Sequence, residues 1–272
     1  AFDSSGSDPD DPPMPPSRRI DPSKPNIARV YDSFLGGKDN YAADRAVVRE
    51  IHAAGPELTR VVQEERAWLG RVTRFLVKSV RIEQILHVGA GMPTIENTHE
   101  AAQRFNSDTR VIYVADDPVV QAHGRAILAE NDLTHLVEAD FAQPDEVLGH
   151  DTVRKYLEPD EPVALIHSHT MHHVPGKQRP LEIVQRYLEM LPSGSYLVLT
   201  HFCDPRDDGP GSRAVPTSRR STMPGRKAAI TVNHPRAEIE RLWQSSEYRP
   251  EYIENTDAAV VLKLGRSYHA VR

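Results

Sequence analysis

The sequence predicts an α/β protein, a doubly wound and mostly parallel sheet with a helical segment ahead of it. Three observations lead there. An apolar run at 85–88 ends in Gly89-Ala90-Gly91, and a second at 111–114 ends in Ala115-Asp116-Asp117. From Ile82 to Thr200, strand-like and helix-like stretches then alternate.

The first run, Ile85-Leu86-His87-Val88, reads as a buried parallel strand. Glycines at its end let the backbone turn sharply and come close to a ligand. Helix-forming sequence follows from Thr94 to Ala102, and its free N–H groups are expected to face whatever sits on the glycines. The third glycine of the dinucleotide fingerprint is missing and Pro93 follows the pair, which weighs against a pyrophosphate and for another adenosine-bearing ligand. A plain tight turn is the alternative.

The second strand, Val111 to Val114, brings Asp116 and Asp117 to its tip, where a carboxylate can accept hydrogen bonds from ribose hydroxyls. Pro118 suits the first turn of the next helix. A third strand, His135 to Glu138, ends in Ala139-Asp140-Phe141, an acceptor beside an aromatic ring. Singly, each acid reads as a solvated loop carboxylate or helix cap. Their recurrence at successive strand tips favours a site.

Strand four is Pro162 to Ile166 and strand five Ser195 to Thr200, with a helix from Pro180 to Leu191 between them. A helix over 235–246 and short strands at 250–253 and 258–264 complete the sheet. Ahead of it, residues 21–80 read as helical, with apolar positions at helical spacing in 42–54 and 56–80. Residues 1–20 are rich in Asp, Ser and Pro and read as a disordered leader. The stretch 204–226 reads as a long loop, either covering a substrate or simply an excursion.

At 272 residues, one large domain with additions is expected, and 39% hydrophobic content suffices for a three-layer core. A net charge of −6 and no basic face argue against nucleic acid as the main partner. No run approaches the ~20 apolar residues that span a bilayer. The one cysteine, Cys203, excludes an internal disulfide, reads as a passive thiol, and fits a cytoplasmic location.

Further residues carry a family resemblance. They are the run Pro25 to Arg45 containing Leu35-Gly36-Gly37-Lys38-Asp39-Asn40-Tyr41, then Gly91-Met92-Pro93-Thr94, Asp117-Pro118-Val119-Val120, Met171-His172-His173-Val174-Pro175, and Leu191-Pro192 with Gly194 to His201. Over residues 22–205 the chain resembles the class I S-adenosylmethionine-dependent methyltransferases. More closely, it resembles the actinobacterial family formerly classed as a domain of unknown function. The resemblance implies a Rossmann-like methyltransferase domain over 81–272, a helical lid segment over 21–80, S-adenosyl-L-methionine as cofactor and a small-molecule substrate. Three positions differ from the family pattern: His87 and Ala115 stand where it usually has Asp, and Gly176 where it tends to have an acid.

On that resemblance, Gly89, Gly91, Asp116, Asp117, Asp140, Phe141 and Ser168 line the cofactor site. Lys38 pairs with the cofactor's carboxylate, and Asp39 with its ammonium or with Arg45. Asn40 and Tyr41 belong to the same lid, which closes with Tyr31 and Phe34. The alternative is a helix C-cap at the glycines followed by an N-cap at Asp39 or Asn40.

The run His167-Ser168-His169-Thr170-Met171-His172-His173 follows strand four, beside the expected donor and acceptor. Histidine is suited to take a proton near neutral pH, so His169 and His172 are the candidate bases, and His201 can join them. Strand alternation places His169 on the same face as His167. A metal set and structural packing are the competing readings, and no metal is assigned.

The activity expected is methyl transfer to an oxygen or nitrogen of a small molecule, with specialised metabolism as its setting. The alternative is a methyltransferase fold that binds ligand without transfer, in a regulatory role or as a repurposed cyclase or isomerase. His87 and Ala115 support that alternative, and the oligomeric state stays open.

Overall fold

Every second residue of the central strands faces the same side, and this alternation sorts the core into two faces. The computed structural model describes residues 21–56, 58–93, 96–128, 131–174, 179–200, 248–252 and 259–264. Five strands run parallel: β1 (Gln84–Val88), β2 (Arg110–Ala115), β3 (Thr134–Glu138), β4 (Val163–His167) and β5 (Tyr196–Thr200). Two more follow, β6 (Tyr248–Tyr252) and β7 (Ala259–Leu264), with β7 antiparallel to β5 and β6 antiparallel to β7.

The sheet order is β3-β2-β1-β4-β5-β7-β6. Strand order reverses between β1 and β4, the switch point outside whose carboxyl ends ligands bind in doubly wound sheets. Pro250 lies in β6, an edge strand beside a register shift, where a missing N–H is tolerated.

Leu86 is in register with Ile112 on one side and Leu165 on the other, and all three are fully buried. With Val88, Val114 and Leu197 they pack on α6 (Pro144–Gly149), α7 (Asp151–Tyr156) and α8 (Arg179–Met190) through Val147, Val153, Val184 and Tyr187. The opposite face carries Ile85, Val111, Ala164 and Ile166, under Trp68, Leu69 and Val72 of α3 (Leu58–Phe75). Burying one such side chain contributes about 1.5–3 kcal/mol, so these two clusters dominate the stability of the sheet.

Ahead of the sheet stand α1 (Ile27–Phe34) and α2 (Ala42–Ala54). The Asn26 side chain accepts from Arg29 N at 3.2 Å and starts α1. At its other end Gly36 N–H donates to Ser33 O at 3.2 Å and Gly37 N–H to Asp32 O at 2.8 Å, the paired bonds of a Schellman cap. Gly36 supplies the left-handed turn at φ 76°. Gly37 leaves room for the Asp32 carboxylate, which a Cβ would meet at 1.9 Å. The cap of α2 is Tyr41, not Asp39 or Asn40, because the Asp44 carboxylate reaches back to Tyr41 N at 2.8 Å.

The helix expected from Thr94 begins later, as α4 (Thr98–Gln103). Glu96 is left-handed at φ 56°, and Asn97 N–H donates to the Glu100 carboxylate at 2.6 Å. That bond satisfies a donor within the chain, so this helix end is not the open N-terminus the sequence suggested. The helix α5 (Pro118–Leu128) follows β2 as expected.

No helix among the described residues is long and apolar enough to cross a membrane. The leader 1–20, Gly176, His201, Cys203, the 204–226 loop and the 235–246 helix lie outside the described residues.

Candidate functional site

The carboxyl ends of β1 to β5 form one edge, and the turns there hold the strand-tip residues. Gly89 takes φ 67°, and a Cβ on it would meet the Thr170 methyl at 2.3 Å and the Phe141 ring at 3.3 Å. Only glycine fits, and the turns after β1, β3 and β4 therefore touch one another. Ala90 N–H donates to Val114 O at 2.9 Å, which holds the turn against β2. Gly91 is exposed, and a Cβ there would meet nothing within 4 Å.

At the β2 tip the two acids separate. Asp116 is exposed. Asp117 caps α5, its Oδ1 accepting from Val119 N at 2.8 Å and Val120 N at 3.2 Å, while its Oδ2 accepts from the Asn26 side chain. Asp117 is thus committed to structure, and Asp116 beside it is exposed. Ala115, at the usual acid position, is buried against Ala28, Met92, Val119 and Val120. At the β3 tip, exposed Asp140 closes a turn with Ala142 N at 2.8 Å, and Phe141 O accepts from the Tyr187 hydroxyl at 2.9 Å.

Asn26 sits at the β2 tip, and Tyr31 packs on the His169 ring with centroids 5.0 Å apart. Helix α1 therefore crosses the carboxyl edge from β2 to β4, over the turn that carries Met92.

The histidines after β4 divide. His167 is fully buried, its Nδ1 3.2 Å from Thr170 Oγ1 and its ring edge-on to Tyr187. Burial, with His87 nearby, pushes its pKa down to about 3. His169 does not share its face as alternation suggested. The strand ends at His167, and His169 takes the left-handed φ of 53°, which turns its ring to the other side. Its N–H donates to Thr200 Oγ1 at 2.9 Å, and its Nε2 lies 2.9 Å from Glu65 Oε2. His172 lies in a short 3-10 turn, Met171–His173.

Glu65, on α3, was not singled out by sequence. Its carboxylate accepts from Ser168 Oγ at 2.8 Å and from Thr200, besides facing His169. Burial opposes its charge, but His169, Ser168 and Thr200 together hold its pKa below the usual value. A signal existed: Val62, Glu65, Leu69, Val72 and Leu76 share one helical stripe, and an acid in an apolar stripe is rarely left without a partner.

The segment after α1 makes a cluster of its own. Asn40 donates to Asp32 Oδ2 at 2.7 Å, and Arg45 Nη1 to Asn40 O at 2.8 Å. The Tyr41 ring lies under the Arg29 guanidinium, 4.9 Å from its centroid, and Lys38 is exposed. Asp39 reaches α5 through His123 Nδ1 at 3.8 Å. Among the described residues, no hydrogen bond joins Lys38, Asn40, Tyr41 or Arg45 to a strand tip. No three or more of the described His, Cys, Asp or Glu side chains group as a metal set.

A doubly wound sheet ending in an antiparallel strand pair, with a glycine turn and strand-tip acids at its switch point, defines a Rossmann-like class I methyltransferase fold. A family model described as S-adenosyl methyltransferase matches residues 13–247, and the chain belongs to that family. It is thus an S-adenosylmethionine-dependent methyltransferase by family.

Among solved structures, the chain is similar to a Thermobifida fusca YX protein provisionally assigned as a methyltransferase. The two are 33% identical, with 90% of this chain and 96% of that one covered and a TM-score of 0.76. It is also similar to a DUF574-family protein of Streptomyces avermitilis MA-4680, at 26% identity, 90% and 100% coverage and a TM-score of 0.75. PigF, solved with SAH, is 12% identical over 86% of this chain and 62% of that one, with a TM-score of 0.50, and shows the fold alone. No curated protein matches the chain.

The residues present fit the cofactor. The space beside Gly91 is open, the Phe141 ring borders Gly89, and Asp116 is exposed at the β2 tip.

Proposed function

We propose that the chain methylates an oxygen or nitrogen atom of a small molecule in specialised metabolism, with His169 as general base. The observation that carries this reading is the placement of His169 at the switch point. It is one residue from Thr170, which packs on Gly89, and it is held by Glu65 and Thr200.

S-adenosylmethionine supplies a methyl group on positively charged sulfur, so the transfer depends chiefly on alignment. Gly89, Gly91, Asp116, Asp140, Phe141 and Ser168 border the donor, and Asp117 secures the turn beneath it. Residues 21–80 serve as a lid, with Lys38, Asp39, Asn40, Tyr41 and Arg45 at its tip and Tyr31 over the acceptor side. The lid excludes water, and His169 takes the proton of the acceptor. His172 is the second candidate for that role. Domain 81–272 binds the cofactor, and the single cysteine fits a cytoplasmic enzyme. Buried Ala115 is the observation on which binding without transfer would rest. Family membership and the exposed Asp116 weigh more.

The test pairs calorimetric titration of S-adenosylmethionine and its demethylated product with a methyl-transfer assay over phenol, hydroxy-acid and amine acceptors. Binding of both compounds is expected, with turnover on at least one acceptor class. His169→Ala should abolish turnover and leave cofactor affinity unchanged. Full activity in that variant would exclude His169 as the base.

A further inference from the structure

Thr170, His167, Tyr187 and Phe141 close a ring of contacts around Gly89. The Thr170 methyl and the Phe141 ring both lie against the glycine, where a Cβ would meet them at 2.3 and 3.3 Å. On its other side Thr170 turns its hydroxyl to His167, with Oγ1 3.2 Å from Nδ1. The His167 ring stands edge-on to Tyr187, centroids 5.2 Å apart. Tyr187, on α8, donates its hydroxyl to Phe141 O at 2.9 Å and completes the circuit.

Packing alone does not require a histidine here. His167 is fully buried, and among the described residues its Nε2 has no hydrogen-bond partner. An unpaired polar atom in a core costs stability that a hydrocarbon side chain of similar volume would not. What the imidazole supplies, and leucine could not, is the polar contact to Thr170. A threonine hydroxyl both donates and accepts, so that bond forms with either imidazole tautomer. Burial keeps the ring neutral, its pKa pushed down to about 3, so the contact does not change through neutral pH.

Threonine carries a methyl and a hydroxyl on one carbon, and rotation about χ1 exchanges their places. In the observed rotamer the hydroxyl meets His167 and the methyl meets Gly89. We infer that His167 is a positioning residue: by engaging the Thr170 hydroxyl it selects the rotamer that sets the methyl against Gly89, and so fixes the turn that takes S-adenosylmethionine. The inference rests on the reading of that turn as the cofactor's. Without the bond, the hydroxyl is free to face the turn and compete for its backbone N–H groups.

The experiment reads two quantities in the full chain. One is the Thr170 rotamer, from three-bond couplings to its labelled methyl carbon in the free protein. The other is S-adenosylhomocysteine affinity, by calorimetry. A single rotamer is expected in the wild type. His167→Leu should mix the rotamers and weaken binding about three- to tenfold, the value of one neutral hydrogen bond. Adding Thr170→Val should restore affinity to within about twofold of wild type, because valine sets a methyl in both places and needs no bond to choose between them. Val184→Ala is the control. This fully buried α8 residue belongs to the same apolar cluster as Tyr187, and its truncation should lower the melting temperature without changing affinity.

A single Thr170 rotamer in His167→Leu overturns the inference, as does wild-type affinity in that variant or a loss that Thr170→Val does not recover. A Val184→Ala loss of equal size does the same. Should His167→Leu not fold, Thr170→Ser keeps the hydroxyl and removes the methyl, and unchanged affinity there overturns the inference equally. A wild type that holds one Thr170 rotamer yet binds no S-adenosylhomocysteine would sink the cofactor reading alone. Mixed rotamers in a wild type that binds it would sink this inference alone.

Discussion

The Asn26 side chain donates to Asp117 Oδ2, joining the cap of α1 to the cap of α5 across 91 residues. One hydrogen bond therefore links the start of the helical segment to the strand-tip acid beside the switch point.

Asp117→Ala should destabilise the protein by about 1 kcal/mol for the lost cap, and further for the released Asn26. A double-mutant cycle of Asn26→Ala with Asp117→Ala isolates the second part, expected at roughly 0.5–1.5 kcal/mol of coupling. Strictly additive denaturation midpoints would show that the bond contributes nothing.

Asp44 is fully buried and accepts from Asn26 N at 2.8 Å, Arg29 Nε at 2.8 Å and Tyr41 N at 2.8 Å. Asp44→Ala leaves the buried Arg29 guanidinium without its carboxylate, and the expected cost is about 3–5 kcal/mol. Chemical denaturation measures it. A cost below about 1 kcal/mol would place this pair among surface ion pairs.

The two glycines of the turn should respond differently. Gly89→Ala forces a Cβ into a left-handed position against the Thr170 methyl and lowers the melting temperature. Gly91→Val meets open space, so it should melt like the wild type while losing cofactor binding, as titration calorimetry would read. Retained affinity in Gly91→Val would remove this turn from the cofactor site.

Burial pushes the pKa of His87 down to about 3, with Arg66 adding to it, and that of His167 likewise to about 3. Unfolding returns each to about 6.5, so the unfolded state binds more protons below that pH. Stability should be full above about pH 6.5 and decline as the pH falls toward 3. The loss by pH 5.5 is about 1 kcal/mol for each histidine. Denaturant midpoints equal at about pH 7.5 and 5.5 would contradict both assignments.

Lys38→Ala should weaken cofactor binding by roughly 1–3 kcal/mol, the range for a charge-assisted hydrogen bond. Unchanged affinity and melting temperature would reduce the 36–41 segment to a capped turn.

The parallel strands were legible because a strand buried on both faces must be apolar throughout, and 85–88, 111–114 and 163–166 are nearly so. The Schellman cap at Gly36-Gly37 was legible for a similar reason, since few residues other than glycine adopt its left-handed turn. The start of α4 was misplaced because Glu96 breaks the helix by a conformation its residue type does not announce. His169 was placed on the wrong face because alternation ends with the strand, and the strand ends two residues earlier.

By itself, then, the sequence determined the parallel strands, the glycine turn and the run of strand-tip acids. Each of these follows from local conformational preference or from the period at which apolar residues repeat. Only the tertiary structure decided which acid caps a helix and which stays exposed, and which histidine is buried and which is paired. It also brought Glu65 to His169. Those outcomes depend on contacts between residues about a hundred positions apart, where packing geometry and the need to satisfy buried polar groups choose the partner.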